Sequence, residues 1–330
     1  MKKKTILYVA AWLLALVACV GLLDGAMRRD DGARKYDAFF GDELGFDVFL
    51  MGTSRMFDSV SPVELWRDYG ITSYNLANSS EPLDVTRWVL DLAMDVHMPK
   101  VAVIDVYYVT HSVDESWTYP YRHMFLDELP LSMTLKKFEA VRATLPRSEW
   151  MEFMFPFSLY HGRWEEILSG NVERQVDCES FTMGGELRFG RYEKTFERVQ
   201  DVSGEEQPGY QALREIAALC RERGVTPVFV MVPAPIDARE QIAVNGVAKI
   251  AQEEGVVFLN MLDENVIDYA ADCYDEVGHL NPDGNAKTTA WLGAWLAEHF
   301  YFEDKRGDAR YSYWDEHVRQ YEAYRAANWP

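Results

Sequence analysis

The sequence lacks the short motifs by which many nucleotide-binding and hydrolase sites are found. Gly-x-Gly-x-x-Gly and Gly-x-x-x-x-Gly-Lys are both absent, so neither a dinucleotide site nor a P-loop has support. The nucleophile-elbow pattern Gly-x-Ser-x-Gly is also absent, because position 56 is Met. No cysteine or histidine spacing fits a zinc site, and we expect no cofactor and no metal.

Basic residues are few relative to acidic ones. The 330 residues include 33 Lys and Arg against 53 Asp and Glu, which gives a formal net charge of −20 at pH 7. Non-specific binding to nucleic acid requires a basic surface, so this class of partner is not expected. Hydrophobic residues make up 48% of the chain and aromatic residues 14%, which is enough for a large core. The length allows one large domain with insertions or two smaller domains.

Cysteine is also scarce, with four residues in the chain. Cys19 lies in an apolar N-terminal segment, and Cys220 lies in a helical pattern that predicts a buried thiol. Cys178 and Cys273 remain, and the sequence leaves open whether these two form a disulfide.

The N-terminus carries a long hydrophobic run. Residues 5–23 contain no charged side chain and follow three lysines, and this is about the length that spans a bilayer. We favour an uncleaved signal anchor over residues 1–23. A cleaved signal peptide is the second alternative, but it would have a shorter apolar region and a small-x-small site. A lipoprotein signal ending at Cys19 is the third, but residues 20–23 stay apolar where mature lipoproteins usually turn polar.

The orientation of this segment is not decided by the positive-inside rule, because basic residues lie on both sides of it. We expect a single-pass protein of the cell membrane with its main domain outside the cytoplasm, since a signal-like N-terminus is the commoner use of such a segment. Residues 24–45 are polar and mixed in charge, and they are predicted to link the membrane to the domain.

The remaining sequence alternates between strand and helix patterns. The βαβαβ order of its first part predicts an α/β fold, a five-stranded parallel sheet with helices on both faces and right-handed crossovers. The five buried strand patterns lie at residues 46–51, 72–76, 101–108, 226–232 and 256–260.

Residues 111–205 interrupt this alternation with aromatic and Met-rich sequence in short helical pieces. We predict an inserted helical subdomain over the carboxyl edge of the sheet, either a lid or substrate platform or a packed unit without substrate contact. The α/β domain is predicted over residues 46–300. Residues 301–330 are either an amphipathic helix on the domain or a tail.

Ser54 directly follows the first strand, within a Gly-Thr-Ser-Arg turn. In open parallel sheets the reacting groups lie beyond the carboxyl ends of the strands. The loop after the fifth strand carries His279, with Asp275 and Glu276 ahead of it. A serine hydroxyl needs a neighbouring base to act as a nucleophile, and an imidazole oriented by a carboxylate is such a base. We therefore predict a Ser54–His279 pair with either Glu276 or Asp275 as the orienting acid.

Together these residues resemble the SGNH/GDSL hydrolase family, and within it the bacterial, membrane-anchored, envelope-associated branch, over residues 46–108 and 208–300. The Gly-Thr-Ser-Arg turn corresponds to the first family block, which gives Ser54 the place of the nucleophile. The fifth block, Asp-x-x-His, corresponds to the loop of His279, where spacing favours Glu276 and residue type favours Asp275. The resemblance implies the SGNH/flavodoxin-like three-layer fold.

The second and third blocks match less well. The second block corresponds to residues 75–80, where a glycine N–H of the family contributes to the oxyanion hole and this chain has Ser80. Asn78 is a further candidate donor, with helix capping as the alternative. The third block, Gly-x-Asn-Asp, is missing, and residues 105–108 stand in its place.

Two further side chains are candidates for the substrate pocket. Arg55 is expected either to bind an anionic group or to pair with Asp58. Tyr107 lies at the end of the third strand, where it could line the pocket or serve in packing.

The resemblance implies an extracytoplasmic serine esterase or O-acyltransferase, of the deacetylase or acetyltransferase type, that works through an acyl-serine. Its expected partners are an acylated glycan or envelope polymer, the membrane and a membrane-bound O-acyltransferase. The alternative is a non-catalytic SGNH-like domain that binds an envelope glycan or such an acyltransferase. The missing third block favours the alternative, whereas Ser54 with His279 favours the enzyme.

Overall fold

A computed structural model describes residues 2–27, 33–162, 164–169, 179–202 and 204–330. The strands are β1 (Val48–Met51), β2 (Ser73–Asn75), β3 (Val101–Asp105), β4 (Thr226–Met231) and β5 (Val257–Asn260). The helices are α1 (Lys2–Met27), α2 (Ala33–Gly41), α3 (Ser54–Ser59), α4 (Pro62–Tyr69), α5 (Leu83–Met94), α6 (Tyr119–Leu126), α7 (Thr134–Thr144), α8 (Trp150–Met154), α9 (Phe157–Tyr160), α10 (Trp164–Ser169), α11 (Pro208–Arg223), α12 (Ala238–Glu254), α13 (Pro282–His299) and α14 (Ser312–Asn328).

The five strands form one parallel sheet in the order β2-β1-β3-β4-β5. β1 lies inside the sheet, with Leu50 opposite Asn75 of β2 and Val103 of β3. The path through the sheet thus starts at the inner strand β1, continues to the edge strand β2 and then crosses back to β3. This is the predicted five-stranded parallel α/β fold, and that prediction is confirmed.

Alternate residues of each strand point to opposite sides of the sheet and enter two separate cores. In β1, Phe49 and Met51 belong to the larger core, whereas Val48 and Leu50 belong to the smaller one. Helices α5, α11 and α12 pack successively on the first side, and α13 packs against α3 and α4 on the second. Helices therefore cover both faces, and the polar groups that follow each strand meet at the carboxyl edge.

Part of the predicted linker over residues 24–45 belongs to the folded domain. Helix α2 inserts Tyr36 and Phe39 into the larger core, where Phe39 contacts the rings of Phe49 and Tyr74. Lys35 is buried too, and its ammonium group donates to the carbonyl of Gly184. The prediction of a linker was wrong for residues 33–41, because Tyr36 and Phe39 hold this helix in the larger core of the domain.

Of the two interpretations of residues 301–330, the structure shows the helix on the domain. Helix α14 packs against α4, and its Trp314 and Tyr321 are buried. Trp314 stacks on Trp66 of α4 with ring centroids 5.4 Å apart.

The inserted region divides into two parts. Its helix α7 packs on α5, beside the sheet rather than over its edge. The extended stretch after residue 183 does cross the carboxyl edge, where the N–H of Glu186 donates to the carbonyl of Phe57 at 3.0 Å. Further along, the N–H of Tyr192 donates to the carbonyl of Cys273 at 2.9 Å. The insertion therefore covers the edge with this second part, and Thr118, Tyr121 and Arg122 of its first part lie against the loop of Ser80.

Cys273 is a buried free thiol, and so is Cys220, as predicted. Cys178 lies outside the described residues. The segment Lys4–Leu23 of α1 is long and apolar enough to cross a membrane, with a mean hydropathy of 2.6 and none of its length buried. A signal sequence near the N-terminus has the same properties, so whether α1 is retained stays a prediction.

Candidate active site

The turn between β1 and α3 places Ser54 at the carboxyl edge of the sheet. Gly52 has a φ of +132°, and a Cβ on it would lie 2.7 Å from Cβ of Asp105 on the neighbouring strand. Only glycine fits this close approach. Thr53 then caps α3, because its side-chain oxygen accepts the N–H of Arg55 at 3.2 Å. Ser54 is the first residue of the helix and is partly exposed.

The loop after β5 brings His279 to this serine. Oγ of Ser54 lies 2.8 Å from Nε2 of His279, although the two residues are 225 positions apart. The loop is anchored where it enters α13, since Oδ1 of Asn281 accepts the N–H groups of Asp283 at 3.1 Å and Gly284 at 3.2 Å. Asn281 thus caps α13, with Pro282 as the first residue of the helix.

Asp275, and not Glu276, contacts the imidazole. Its Oδ2 lies 2.7 Å from Nδ1 of His279, and its Oδ1 accepts the N–H groups of Gly278 at 2.8 Å and His279 at 3.0 Å. Glu276 is exposed, and its backbone carbonyl accepts a hydrogen bond from Lys194 at 2.7 Å. Residue type, and not the family spacing, therefore identified the residue that orients His279.

The protonation states favour a base at His279. Burial alone would raise the pKa of Asp275, but the hydrogen bond and charge of His279 and two backbone N–H groups lower it to about 2. An ionised Asp275 can only accept, so Nδ1 of His279 carries the proton and Nε2 is free to accept from Ser54. Burial lowers the pKa of His279, against the opposing effect of Asp275, so the imidazole is neutral at pH 7.

Arg55 joins the serine turn to the histidine loop. Its Nη2 donates to the carbonyl of Val277 at 2.6 Å, and its guanidinium lies 4.9 Å from the ring centre of Tyr107. Nη1 of Arg55 is buried and has no hydrogen-bond partner in the described part of the chain. Tyr107 in turn donates to Glu240 at 3.2 Å. Both side chains support the site from behind, and Nη1 remains available to an anionic or carbonyl group.

The candidate oxyanion donors differ in how they are used. The side chain of Asn78 donates to Glu81 at 2.6 Å and accepts from Tyr36, and its N–H donates to the carbonyl of Gly52 at 2.9 Å. Asn78 therefore fixes the second loop against the serine turn. Ser80 has a φ of +52°, a conformation that favours glycine, which is the residue the SGNH family has there.

The third-block position is occupied by a buried carboxyl group rather than an amide. Asp105 accepts from the hydroxyl of Thr53 at 3.3 Å and from the N–H of Tyr107 at 3.4 Å. Burial raises its pKa to about 7, despite these hydrogen bonds and the charge of Arg55. Asp105 therefore stabilises the serine turn from the end of the neighbouring strand β3.

Three residues that sequence analysis did not assign to the site surround the base. Asp58 is fully buried, and its Oδ2 lies 3.9 Å from Nε2 of His279. Arg188 of the insertion lies 3.4 Å from Asp58 and 3.1 Å from Glu186. Burial, and then the charge of Glu186, raise the pKa of Asp58 well above its usual value, against the attraction of Arg188.

The signal for Asp58 was present in the sequence, because it follows Ser54 by four residues and so lies on the same face of α3. Of the two alternatives for Arg55, pairing with Asp58 is wrong, since Asp58 pairs with Arg188 and Arg55 donates to the histidine loop. No sequence signal linked Arg188 to the site, because it comes from an irregular part of the insertion.

Within the described ranges, no group of three or more His, Cys, Asp or Glu side chains could hold a metal ion. Comparison of the sequence with protein-family models and with curated proteins gave no match in either case. The functional assignment therefore depends on the residues of the site and on the resemblance they carry.

Proposed function

We propose that the chain is an extracytoplasmic serine esterase or O-acyltransferase, SGNH-like, that acts on an acylated cell-envelope glycan or polymer through an acyl-serine. One observation carries this proposal, the continuous hydrogen-bonded chain from Ser54 through His279 to Asp275, with distances of 2.8 and 2.7 Å. Both distances lie in the range expected between a nucleophile, its base and the group that orients the base.

The geometry supports a two-step reaction. Oγ of Ser54 attacks the carbonyl carbon of an ester while its proton moves to Nε2 of His279. The imidazolium, stabilised by Asp275, then gives this proton to the oxygen of the departing alcohol, and the acyl group stays on Ser54. In the second step, water or a glycan hydroxyl attacks the acyl-serine and loses its proton to His279. The imidazolium then returns that proton to Oγ of Ser54 as the bond between the acyl carbon and Oγ breaks, which regenerates the enzyme.

Negative charge on the carbonyl oxygen needs hydrogen-bond donors close to Ser54. The N–H of Ser54 lies in the first turn of α3, where backbone donors have no acceptor within the helix. Together with the N–H of Ser80 on the facing loop, it is our proposed oxyanion hole. Asn78 then acts by holding that loop.

Helix α1 supports the proposed location. A helix of this length and hydropathy placed in a bilayer would anchor the domain as a single-pass protein of the cell membrane. With the domain outside the cytoplasm, the site would face envelope polymers. A membrane-bound O-acyltransferase is the proposed partner that would supply the acyl group.

The alternative function, a non-catalytic domain that binds an envelope glycan or an acyltransferase, has one observation in its favour. Asp105 stands where the family has an amide donor, and its side chain is used internally. A triad with two short hydrogen bonds is a more specific arrangement than a binding domain needs, so the enzyme is our conclusion.

Turnover of a chromogenic acetyl ester by the purified full-length chain tests the proposal. Ser54→Ala and His279→Ala should each lower kcat/KM on the order of 10³-fold or more, and the double variant should be little worse, because the two residues act as a unit. Ser148→Ala, at an exposed serine far along the insertion, should leave turnover unchanged. Equal turnover by wild type, the two single variants at Ser54 and His279 and the double variant would contradict the enzyme. Absent turnover in every form, with retained glycan binding, would favour the binding domain.

A further inference from the structure

Exposed hydrophobic side chains are concentrated in the helical part of the insertion. Outside α1, sixteen large hydrophobic side chains of the described residues are exposed, and eight of them lie between Leu131 and Leu168. Leu131 is 93% exposed, Leu135 80% and Leu168 79%. The other five are Phe138, Met151, Phe155, Leu159 and Trp164. A concentration of this kind marks an interaction surface rather than ordinary scatter.

The surface adjoins the helix that could span a membrane. Helix α7 packs against α8, α8 against α9, and α9 lies beside α1. These four helices are thus neighbours in an unbroken series that begins at α1. Because α1 is exposed along its whole candidate span, the medium that surrounds α1 also contacts its neighbour α9.

The tether is too short to hold the domain away from the bilayer. The candidate span ends at Leu23, and Lys35 is already buried in the domain. Helical residues advance 1.5 Å each and extended residues at most about 3.5 Å, so these twelve positions reach roughly 30 Å at most. The tether also enters next to the insertion, because Tyr36 and Phe40 of α2 contact Phe125 of α6.

We propose that the eight exposed side chains from Leu131 to Leu168 form a membrane-contact surface that inserts into the outer boundary of the bilayer in which α1 is anchored. The inference rests on the proposal that α1 stays in the membrane, and not on the chemistry of Ser54. Mixed leucine, phenylalanine and tryptophan side chains are typical of helices that lie at the lipid boundary.

The lipid chemistry follows from charge. A chain with a net charge of −20 gains nothing from anionic headgroups overall, so contact should depend on apolar burial and should form on zwitterionic lipid. Such contact would attach the domain to the bilayer at two or more points in addition to α1 and would fix the orientation of the domain. The carboxyl edge with Ser54 would then be held at a constant height above the bilayer.

Site-directed fluorescence on the full-length chain tests this surface. The protein, with Cys19 and Cys178 replaced by Ala, is reconstituted in phosphatidylcholine vesicles and labelled with an environment-sensitive fluorophore at one introduced cysteine at a time. The introduced cysteines are Leu135→Cys, Phe155→Cys and Leu168→Cys on the surface and Val257→Cys and Tyr301→Cys as exposed controls away from it. A parallel protein that keeps Cys19 and has only Cys178 replaced by Ala is labelled in α1 and reports insertion of the anchor.

Vesicles with brominated acyl chains should quench the three surface labels to an extent comparable with Cys19 and leave both controls unchanged. Surface labels that stay unquenched while Cys19 is quenched would overturn the proposal and leave the surface to a protein partner. Surface labels that are unquenched at high protein density and become quenched on dilution into more lipid would overturn it as well, and would assign the surface to a second copy of the chain. An unquenched Cys19 would also overturn it. Labelling of Ser54 by a phosphonate, measured on the same vesicles, separates these outcomes from failure of the proposed function.

Discussion

Ser54 and Asp58 lie one turn apart on α3, and both approach the same atom of His279. Oγ of Ser54 is 2.8 Å from Nε2, and Oδ2 of Asp58 is 3.9 Å from it. When Nε2 takes up a proton during attack, a buried carboxyl group is therefore close to the new N–H. Burial, and then the charge of Glu186, raise the pKa of this carboxyl group well above its usual range.

The first prediction separates the two adjacent carboxylates. Asp275→Asn should lower kcat/KM about 10²–10⁴-fold, because the amide no longer fixes the tautomer of His279. Glu276→Gln should leave it within about twofold, since Glu276 is exposed and contacts His279 through neither oxygen in the described structure. Steady-state turnover of both variants gives the comparison. A larger loss in Glu276→Gln than in Asp275→Asn would show that the acid has been wrongly assigned.

The second prediction concerns the pH dependence of turnover. The base must be neutral, and burial lowers the pKa of His279 below its ordinary value of about 6.5. Activity should therefore rise with pH and reach half of its plateau below pH 6.5, with Asp275 ionised throughout because its pKa is about 2. A profile of log kcat/KM from pH 4 to 8 measures this. A midpoint above 7 would mean that the imidazole is stabilised in its charged form.

The third prediction concerns stability and Asp58. A carboxyl group whose pKa is raised in the folded state contributes stability below its unfolded pKa, and this contribution is lost as pH rises through the folded value. Asp58→Asn removes that loss, so the variant should gain stability relative to wild type at pH 8 more than at pH 4. Urea unfolding in detergent at both pH values tests the sign, with the exposed Glu298→Gln as control. An equal effect at both pH values would exclude titration of Asp58 as the cause.

The fourth prediction concerns the turn that carries Ser54. Gly52→Ala places a methyl group 2.7 Å from Cβ of Asp105 at a φ of +132°, so it should destabilise the protein by roughly 2–4 kcal/mol and reduce turnover. Gly224→Ala is the matched control, because Gly224 also has a positive φ, +72°, but no atom within 4 Å of the added Cβ. Its cost should be about 1 kcal/mol. Equal costs would mean that backbone strain alone, and not the approach of β3, requires glycine at position 52.

The parts of the fold that follow short-range rules were predictable from the sequence. Buried strands separated by helices gave the parallel sheet, and polar residues directly after two strands gave Ser54 and His279 as neighbours at one edge. The choice between Asp275 and Glu276 was not predictable, because it depends on a turn in which Oδ1 of Asp275 accepts two backbone N–H groups.

The remaining parts depend on contacts distant in sequence. Helix α2 lies in a stretch of mixed polarity and charge that reads as a linker, and only the fold shows that Tyr36 and Phe39 fill the core. Arg188 reaches Asp58 across 130 residues from a segment without periodicity. No local pattern identifies such a contact, whereas Asp58 itself could be recognised from its spacing to Ser54.

The central claim is that Ser54 is a nucleophile activated by His279. Incubation of the full-length protein with a phosphonate ester probe, followed by intact mass measurement and peptide mapping, tests it most directly. We expect one adduct on wild type, mapped to Ser54, slower labelling of His279→Ala, and no labelling of Ser54→Ala. An adduct at another residue, or an unlabelled wild-type protein whose Ser54–His279 hydrogen bond is intact, would contradict the account.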